Sequence, residues 1–265
     1  MKDPLVSVII PHYNNARYLE NAITSVEGQG YARIEIIVVD DGSRSEEKGA
    51  AEAICDRHSC RFVSYAENHG PSFARNAGID LCQGDWIQLL DADDYLAPAS
   101  IRSRAALAAK GPLWVSGITL RVPAAYSYGD LKKTFLKPAF LASREIFVMN
   151  LVKLIGFYFP FTLKKAIRSY DNHGTLYSKE LFARYGLFDE ELRRGEDTEI
   201  RERFESLSQT KPLRSRSIAY FYRVHPAQTV RRAKDDEQNI IHARNLKRRV
   251  EEGVSMTNTR LIGGK

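Results

Sequence analysis

The chain has 265 residues, 43% of them hydrophobic and 27% charged, with a formal net charge of +6 at pH 7. That length and balance predict a folded chain with a large core and exclude a disordered or low-complexity protein. The three cysteines, Cys55, Cys60 and Cys82, lack metal-ligand spacing and argue against a disulfide framework. A cytoplasmic setting is therefore expected. The opening Met1-Lys2-Asp3-Pro4 runs straight into a strand-like segment, without the leader, apolar run and cleavage site of a secretory signal.

Charge changes sign along the chain. Residues 1–98 carry 8 Lys/Arg against 16 Asp/Glu, whereas residues 99–168 carry 12 against 2. An acidic first part suits a site that gathers a cation, and a basic later part suits a phosphate-bearing ligand or an anionic membrane surface. Nucleic acid is not an expected partner, because zinc-finger spacing, a basic helix with heptads and an aromatic RNA-binding signature are all missing.

Short apolar runs alternate with polar helical stretches over the first hundred residues, which predicts an α/β fold on a mostly parallel central sheet flanked by helices. Val6 to Ile10 reads as a strand, and Asn15 to Glu27 as a helix whose apolar face is Tyr18, Leu19, Ala22, Ile23 and Val26. Ile34 to Val39 is the next strand and Ser45 to Arg57 the next helix. A third strand fits Arg61 to Tyr65, a third helix Pro71 to Leu81 with proline in its first turn, and a fourth strand Asp85 to Leu90. Ligands of open α/β sheets bind at the carboxyl ends of strands, where His12, Tyr13, Asp40, Asp41, Asp91 and Asp93 all fall. An ordinary turn with a helix N-cap also accounts for Gly42 and Ser43.

Leu113 to Leu120 is a further strand. Ile146 to Leu163 is aromatic and apolar but interrupted, which makes it a weak spanning segment; its basic neighbours Lys132, Lys133, Lys137, Arg144, Lys164, Lys165 and Arg168 fit peripheral membrane association or an amphiphilic acceptor. A buried helix or strand pair is an equal reading there. Residues 231–250 read as a polar helix that docks weakly or contacts anionic lipid, and 251–265 as a flexible tail.

In Leu89-Leu90-Asp91-Ala92-Asp93-Asp94 two carboxylates alternate just after an apolar strand, and residues two apart on an extended backbone point the same way. Asp91 and Asp93 are thus expected to address one hard divalent cation, Mn2+ or Mg2+, together with a ligand's phosphates. An Asp-x-Asp alone arises often by chance, so its context matters. That context is Val6-Ser7-Val8-Ile9-Ile10-Pro11-His12-Tyr13-Asn14, then Ile37-Val38-Val39-Asp40-Asp41-Gly42-Ser43, then Ala74-Arg75-Asn76 and Gly78. Later come Leu187-Phe188-Asp189-Glu190, Gly195-Glu196-Asp197 and Tyr222-Arg223-Val224-His225-Pro226.

This ordered series resembles the family 2 inverting glycosyltransferases of the GT-A fold. The resemblance implies a nucleotide-sugar-binding half over residues 1–98, an acceptor-binding and catalytic half of the same domain over 99–230, and a C-terminal helical extension over 231–265. It implies base-pocket roles for Pro11, Tyr13 and Asp40, with Asp41 beside them, and a place for Arg75 near the base or phosphates; a salt bridge to a nearby aspartate is the plainer role for that arginine. Asp91 is implied at the ribose or metal, Asp93 and His225 at the metal, and Asp197 as catalytic base. Gly195-Glu196-Asp197 also reads as a helix start with acids at the positive end of the dipole. Asn172-His173-Gly174 corresponds to a flexible glycine loop.

The implied partners are a nucleotide-sugar donor, UDP-linked, and a glycan or lipid-linked acceptor at the inner face of the cytoplasmic membrane, with a bacterial surface polysaccharide as product. Processive relatives carry a Gln-x-x-Arg-Trp motif and membrane spans, and neither is found in this sequence, so single additions are expected. Two rival readings are a nucleotidyltransferase and a non-catalytic nucleotide-sugar binding module. The first would carry a glycine- and arginine-rich loop where His12-Tyr13-Asn14-Asn15 stands, and the second would lack the base that Asp197 supplies.

Overall fold

Apolar runs long enough to be buried on both faces form the centre of the sheet. In the computed structural model, which describes residues 3–123, 125–135, 172–225 and the separate positions 241, 244, 245, 247, 248 and 251, β1 (Val6–His12), β2 (Ile34–Asp41), β3 (Arg61–Tyr65) and β4 (Trp86–Leu89) are mutually parallel. The register pairs Val6 with Ile34 and, at the other end, His12 with Asp40. It thereby sets the polar ends of both strands side by side.

Helices α1 (Ala16–Glu27), α2 (Ser45–Arg57) and α3 (Pro71–Leu81) connect these strands. On one face Val6, Val8 and Ile10 pack with Leu19, Ile23 and Val26 of α1; on the other Ile9, Ile37 and Val39 pack with Ala74 and Ile79 of α3. Burial of each such Leu, Ile or Val stabilises the fold by about 1.5–3 kcal/mol. Helix α3 lies unusually close to β1, since a Cβ on Gly78 would stand 2.3 Å from Ile9 Cγ2. Four of the five predicted α1 face residues are buried; Tyr18 is half-buried and turns toward the strand ends.

The second half adds two reversed strands to the expected mostly parallel sheet. With β5 (Tyr95–Leu96), β6 (Trp114–Pro123), β7 (Thr175–Ser178) and β8 (Leu213–Val224), one eight-stranded sheet has the order β3-β2-β1-β4-β7-β6-β8-β5. It is mixed: β7 runs antiparallel to both β4 and β6, and β5 antiparallel to β8, while β8 is parallel to β6. The reason is where β7 starts. Residues 172–174 form a 3-10 turn at the carboxyl edge of β4, so β7 leaves that edge rather than arriving at it. The turn is the stretch expected to be a flexible glycine loop, and it is built into the sheet.

The remaining described helices are α4 (Ser100–Ala108), α5 (Tyr128–Phe135), α6 (Lys179–Tyr185) and α7 (Glu196–Ser208). No helix among the described residues is long and apolar enough to cross a membrane. Ile146 to Leu163, its neighbours Lys137, Arg144, Lys164, Lys165 and Arg168, most of 231–250 and nearly all of the tail lie outside the described residues. Within the extension, Asn245 is fully buried.

Candidate active site

The parallel register places His12 on Asp40, with Nδ1 2.9 Å from Oδ1. Asn15 N–H donates to Nε2 at 3.4 Å, so the contacts require the tautomer that donates from Nδ1 to the carboxylate. Ser64 Oγ donates to the other Asp40 oxygen at 3.0 Å. Burial works against this charge, yet the hydrogen bonds from Ser43, His12 and Ser64 outweigh it and hold the carboxyl below its usual range. Asp41 turns the opposite way and accepts the backbone N–H of His69 and Gly70 at 2.9 and 2.7 Å. Gly42 follows at φ +73°, with no room for a Cβ, which would lie 2.4 Å from the Glu67 carbonyl carbon. Ser43 does not cap α2; its hydroxyl accepts from Asn14 N–H at 2.8 Å and ties the two strand ends together. Pro11 is half-buried and Tyr13 is 51% exposed at this rim.

After β4 the chain does not stay extended. Asp94 N–H donates to Asp91 O at 3.0 Å, closing a turn in place of the extended backbone expected there and bringing Asp94 to Asp91 as well. Asp91, Asp94 and His173 present ligand atoms within 4.8 Å of one another. Asp93 faces His225, Nε2 to Oδ2 being 2.8 Å. The sequence reading left out Asp94 and gave His173 only to a loop. Tyr220 OH accepts from Asp91 N–H at 3.1 Å and donates to Asp94 Oδ2 at 2.9 Å, and Arg223 N–H donates to Asp94 Oδ1 at 2.8 Å. The His225 ring packs on Tyr18 at 5.2 Å, and the Arg223 guanidinium lies over the rings of Tyr18 and Tyr95.

Burial and the neighbouring carboxylates push Asp94 well above its ordinary range, and burial and Asp91 raise Asp93. For Asp91 burial is outweighed by the charges of Arg75 and His173, which keep it low. Asp91, Asp94 and His173 form a donor set whose chemistry suits a divalent cation, and Asp93 pairs with His225 beside it. Carboxylate oxygens suit Mg2+ and Mn2+, and imidazole favours Mn2+.

Arg75 joins this cluster to α7. Nη2 donates to Asp91 at 2.9 Å and Nη1 to Glu196 at 2.6 Å, which is the salt-bridge role the sequence had set beside the nucleotide role. Gly195 at φ +73° starts α7, and Glu196 and Asp197 occupy its first turn. Asp197 is half-buried, with Thr198 N–H donating to its Oδ1 at 2.8 Å. Sequence reasoning missed Tyr18, Tyr220 and the buried Arg104. Arg104 donates to Gln88 Oε1 and to Gly174 O at 3.0 Å, while Gln88 donates to His173 O at 3.0 Å. Burial pulls the Arg104 pKa down to about 9, which leaves it a cation at neutral pH.

Residues 7–186 match Glycosyl transferase family 2. The chain belongs to that family. Among similar family members, EpsJ of Bacillus subtilis is 31% identical over 74% of this chain and 54% of its own length. A glycosyltransferase of Rickettsia typhi is 33% identical over 87% of this chain and 67% of its own, and the succinoglycan biosynthesis protein ExoO of Rhizobium meliloti is 32% identical over 74% and 54%. This family 2 chain thus spans about half the length of EpsJ and ExoO. Solved structures share its GT-A fold. S. aureus TarS 1–349 in complex with UDP-GlcNAc superposes with a TM-score of 0.64 at 18% identity, covering 97% of this chain and 69% of TarS 1–349. A mannosyltransferase of Pyrobaculum calidifontis in complex with GDP-Man and Mn2+ gives 0.60 at 16% identity, over 100% and 77%.

Proposed function

We propose that this family 2 member transfers a sugar from a nucleoside-diphosphate donor, UDP-linked, to a hydroxyl of a glycan or lipid-linked acceptor, inverting the anomeric carbon, in surface polysaccharide synthesis. One observation carries the reading: Arg75 ties Asp91, the first of the strand-end carboxylates, to Glu196, the residue before Asp197. ExoO by its name supports the biological setting, and the UDP-GlcNAc and Mn2+ complexes of the structural neighbours support the donor and cation.

In this mechanism Tyr13 and Pro11 flank the base, with Asp40 and Asp41 shaping the pocket floor. Asp91, Asp93 and His225, with Asp94 and His173 beside them, would hold Mn2+ or Mg2+. When bound, the cation offsets the charge that develops on the leaving diphosphate. Asp197 takes the proton of the acceptor hydroxyl as it attacks in a single displacement. Arg75 stays clamped between Asp91 and Glu196 and keeps the donor side and the base in register.

The test is a binding and hydrolysis screen over UDP-, GDP- and dTDP-sugars with Mn2+ or Mg2+, run on wild type, Asp93→Ala and Asp197→Asn. Metal-dependent binding of one donor, lost in Asp93→Ala and kept in an inactive Asp197→Asn, is expected. Folded wild type that binds no donor would sink the proposal.

A further inference from the structure

We propose that Asn245 is a positioning residue for the segment that presents Asp197, so that the C-terminal extension belongs to the catalytic apparatus. The inference rests on the reading of Asp197 as base. Asn245 is fully buried, and both hydrogens of its amide go to carboxylates: Asp189 Oδ2 at 2.6 Å and Glu191 Oε2 at 2.9 Å. Its oxygen is also used, accepting from Arg244 Nε at 3.2 Å, while Arg244 Nη2 reaches Glu191 at 3.1 Å. A carboxamide has two donor hydrogens, and here each meets a different acid, as charge-assisted bonds do where geometry matters.

Those two acids open the segment that ends in the Glu196-Asp197 pair. Asp189 already folds it on itself, accepting Glu191 N–H at 3.1 Å on its side chain and Leu192 N–H at 3.2 Å on its carbonyl. From the opposite side α3 grips the same stretch: Asn76 donates to Phe188 O at 3.0 Å and to Glu190 at 2.7 Å, and Ser72 Oγ donates to Leu192 O at 3.2 Å. Left without Asn245, Asp189 and Glu191 would lose the amide that bridges them, while α3 would still hold Phe188, Glu190 and Leu192. Asp197 stands a few residues on, past a glycine in the left-handed region, and a misplacement of about 1 Å at a reacting group costs roughly 10²-fold in rate.

The experiment uses the full chain as wild type, Asn245→Asp, which keeps the shape, removes both N–H donors and sets a third carboxyl beside Asp189 and Glu191, and Arg244→Ala, which removes only the exposed partner. Amide hydrogen exchange is followed at 188–198 and at the strands 6–12 and 34–41. Faster exchange confined to 188–198, larger in Asn245→Asp than in Arg244→Ala, is expected. Transfer kcat should fall about 10²-fold in Asn245→Asp, with UDP affinity in the presence of Mn2+ within about twofold of wild type. Unchanged exchange at 188–198 overturns the proposal, and so does a parallel fall of kcat and UDP affinity, which would mean general loosening. Should Asn245→Asp fail to fold, Arg244→Ala decides by the same two readouts. Wild type that turns over no donor strikes the transferase reading instead, and the exchange pattern still decides whether Asn245 fixes the segment.

Discussion

Arg75 and Glu196 lie 121 positions apart in the chain, and a 2.6 Å hydrogen bond between them fixes the start of α7 against α3. The same guanidinium holds Asp91 at 2.9 Å. Burial opposes the Arg75 charge, but Asp91 and Glu196 more than offset that and raise its pKa.

Arg75→Met leaves two largely buried acids facing each other. Removing one partner of a buried ionic group costs about 3–5 kcal/mol, and the lower end applies because Asp91 is partly open to water. Urea unfolding should report that loss. Arg75→Lys should recover little of it, since one ammonium cannot reproduce a guanidinium fork spread over two carboxylates.

Tyr220→Phe tests the support beneath the proposed cation site. Its hydroxyl bridges Asp91 N–H and Asp94 Oδ2, so the change frees both from a common anchor while leaving every candidate ligand in place. Groups that orient metal ligands typically govern about 10–100-fold in metal affinity. Mn2+ titration in the presence of UDP should weaken by that order, and an unchanged isotherm would place the cation away from Asp94.

Much of the first half was legible in the sequence because its strands are buried on both faces and its helices carry one apolar stripe. The spans Arg61–Tyr65, Ser45–Arg57 and Pro71–Leu81 coincide with β3, α2 and α3. In the second half the strand at Leu113–Leu120 and the helix start at Gly195-Glu196-Asp197 were legible, as β6 and α7, but β7 and β8 were not. β8 alternates arginine and serine before its aromatic end, and β7 is only Thr175–Ser178, so neither gives a strong strand signal. That hid Tyr220 and the antiparallel entry that brings His173 to the site. Asp94 was passed over because the spacing of Asp91 and Asp93 assumed an extended chain, whereas a turn closes at that point. The weak docking expected of 231–250 understated Asn245, since no periodicity marks one buried amide.

Two glycines should respond in opposite directions to the same substitution. At Gly42 the backbone is left-handed and the Glu67 carbonyl carbon stands 2.4 Å from where a Cβ would go. Gly42→Ala should destabilise by about 1–2 kcal/mol from the backbone alone, and by more from the contact. Gly49, inside α2, meets nothing within 4 Å, and Gly49→Ala should stabilise by about 0.5–1 kcal/mol. Thermal melts of both variants check the pair, and a destabilised Gly49→Ala would contradict the open space beside α2.

Ser64→Ala should make stability depend less on pH. Asp40 is held below its ordinary pKa, so the stability it contributes is complete above the unfolded carboxyl range and is lost as pH falls through the folded value. Removing the 3.0 Å bond from Ser64 moves the folded pKa back toward the ordinary one. At neutral pH the loss should be about 1.5–3 kcal/mol, the worth of a hydrogen bond to a charged group. As pH drops and Asp40 protonates in both proteins, the gap between wild type and variant should narrow. Urea midpoints measured from pH 7 down into the acid range test this. A gap that stays constant would assign the whole effect to packing around residue 64 and none to the charge of Asp40.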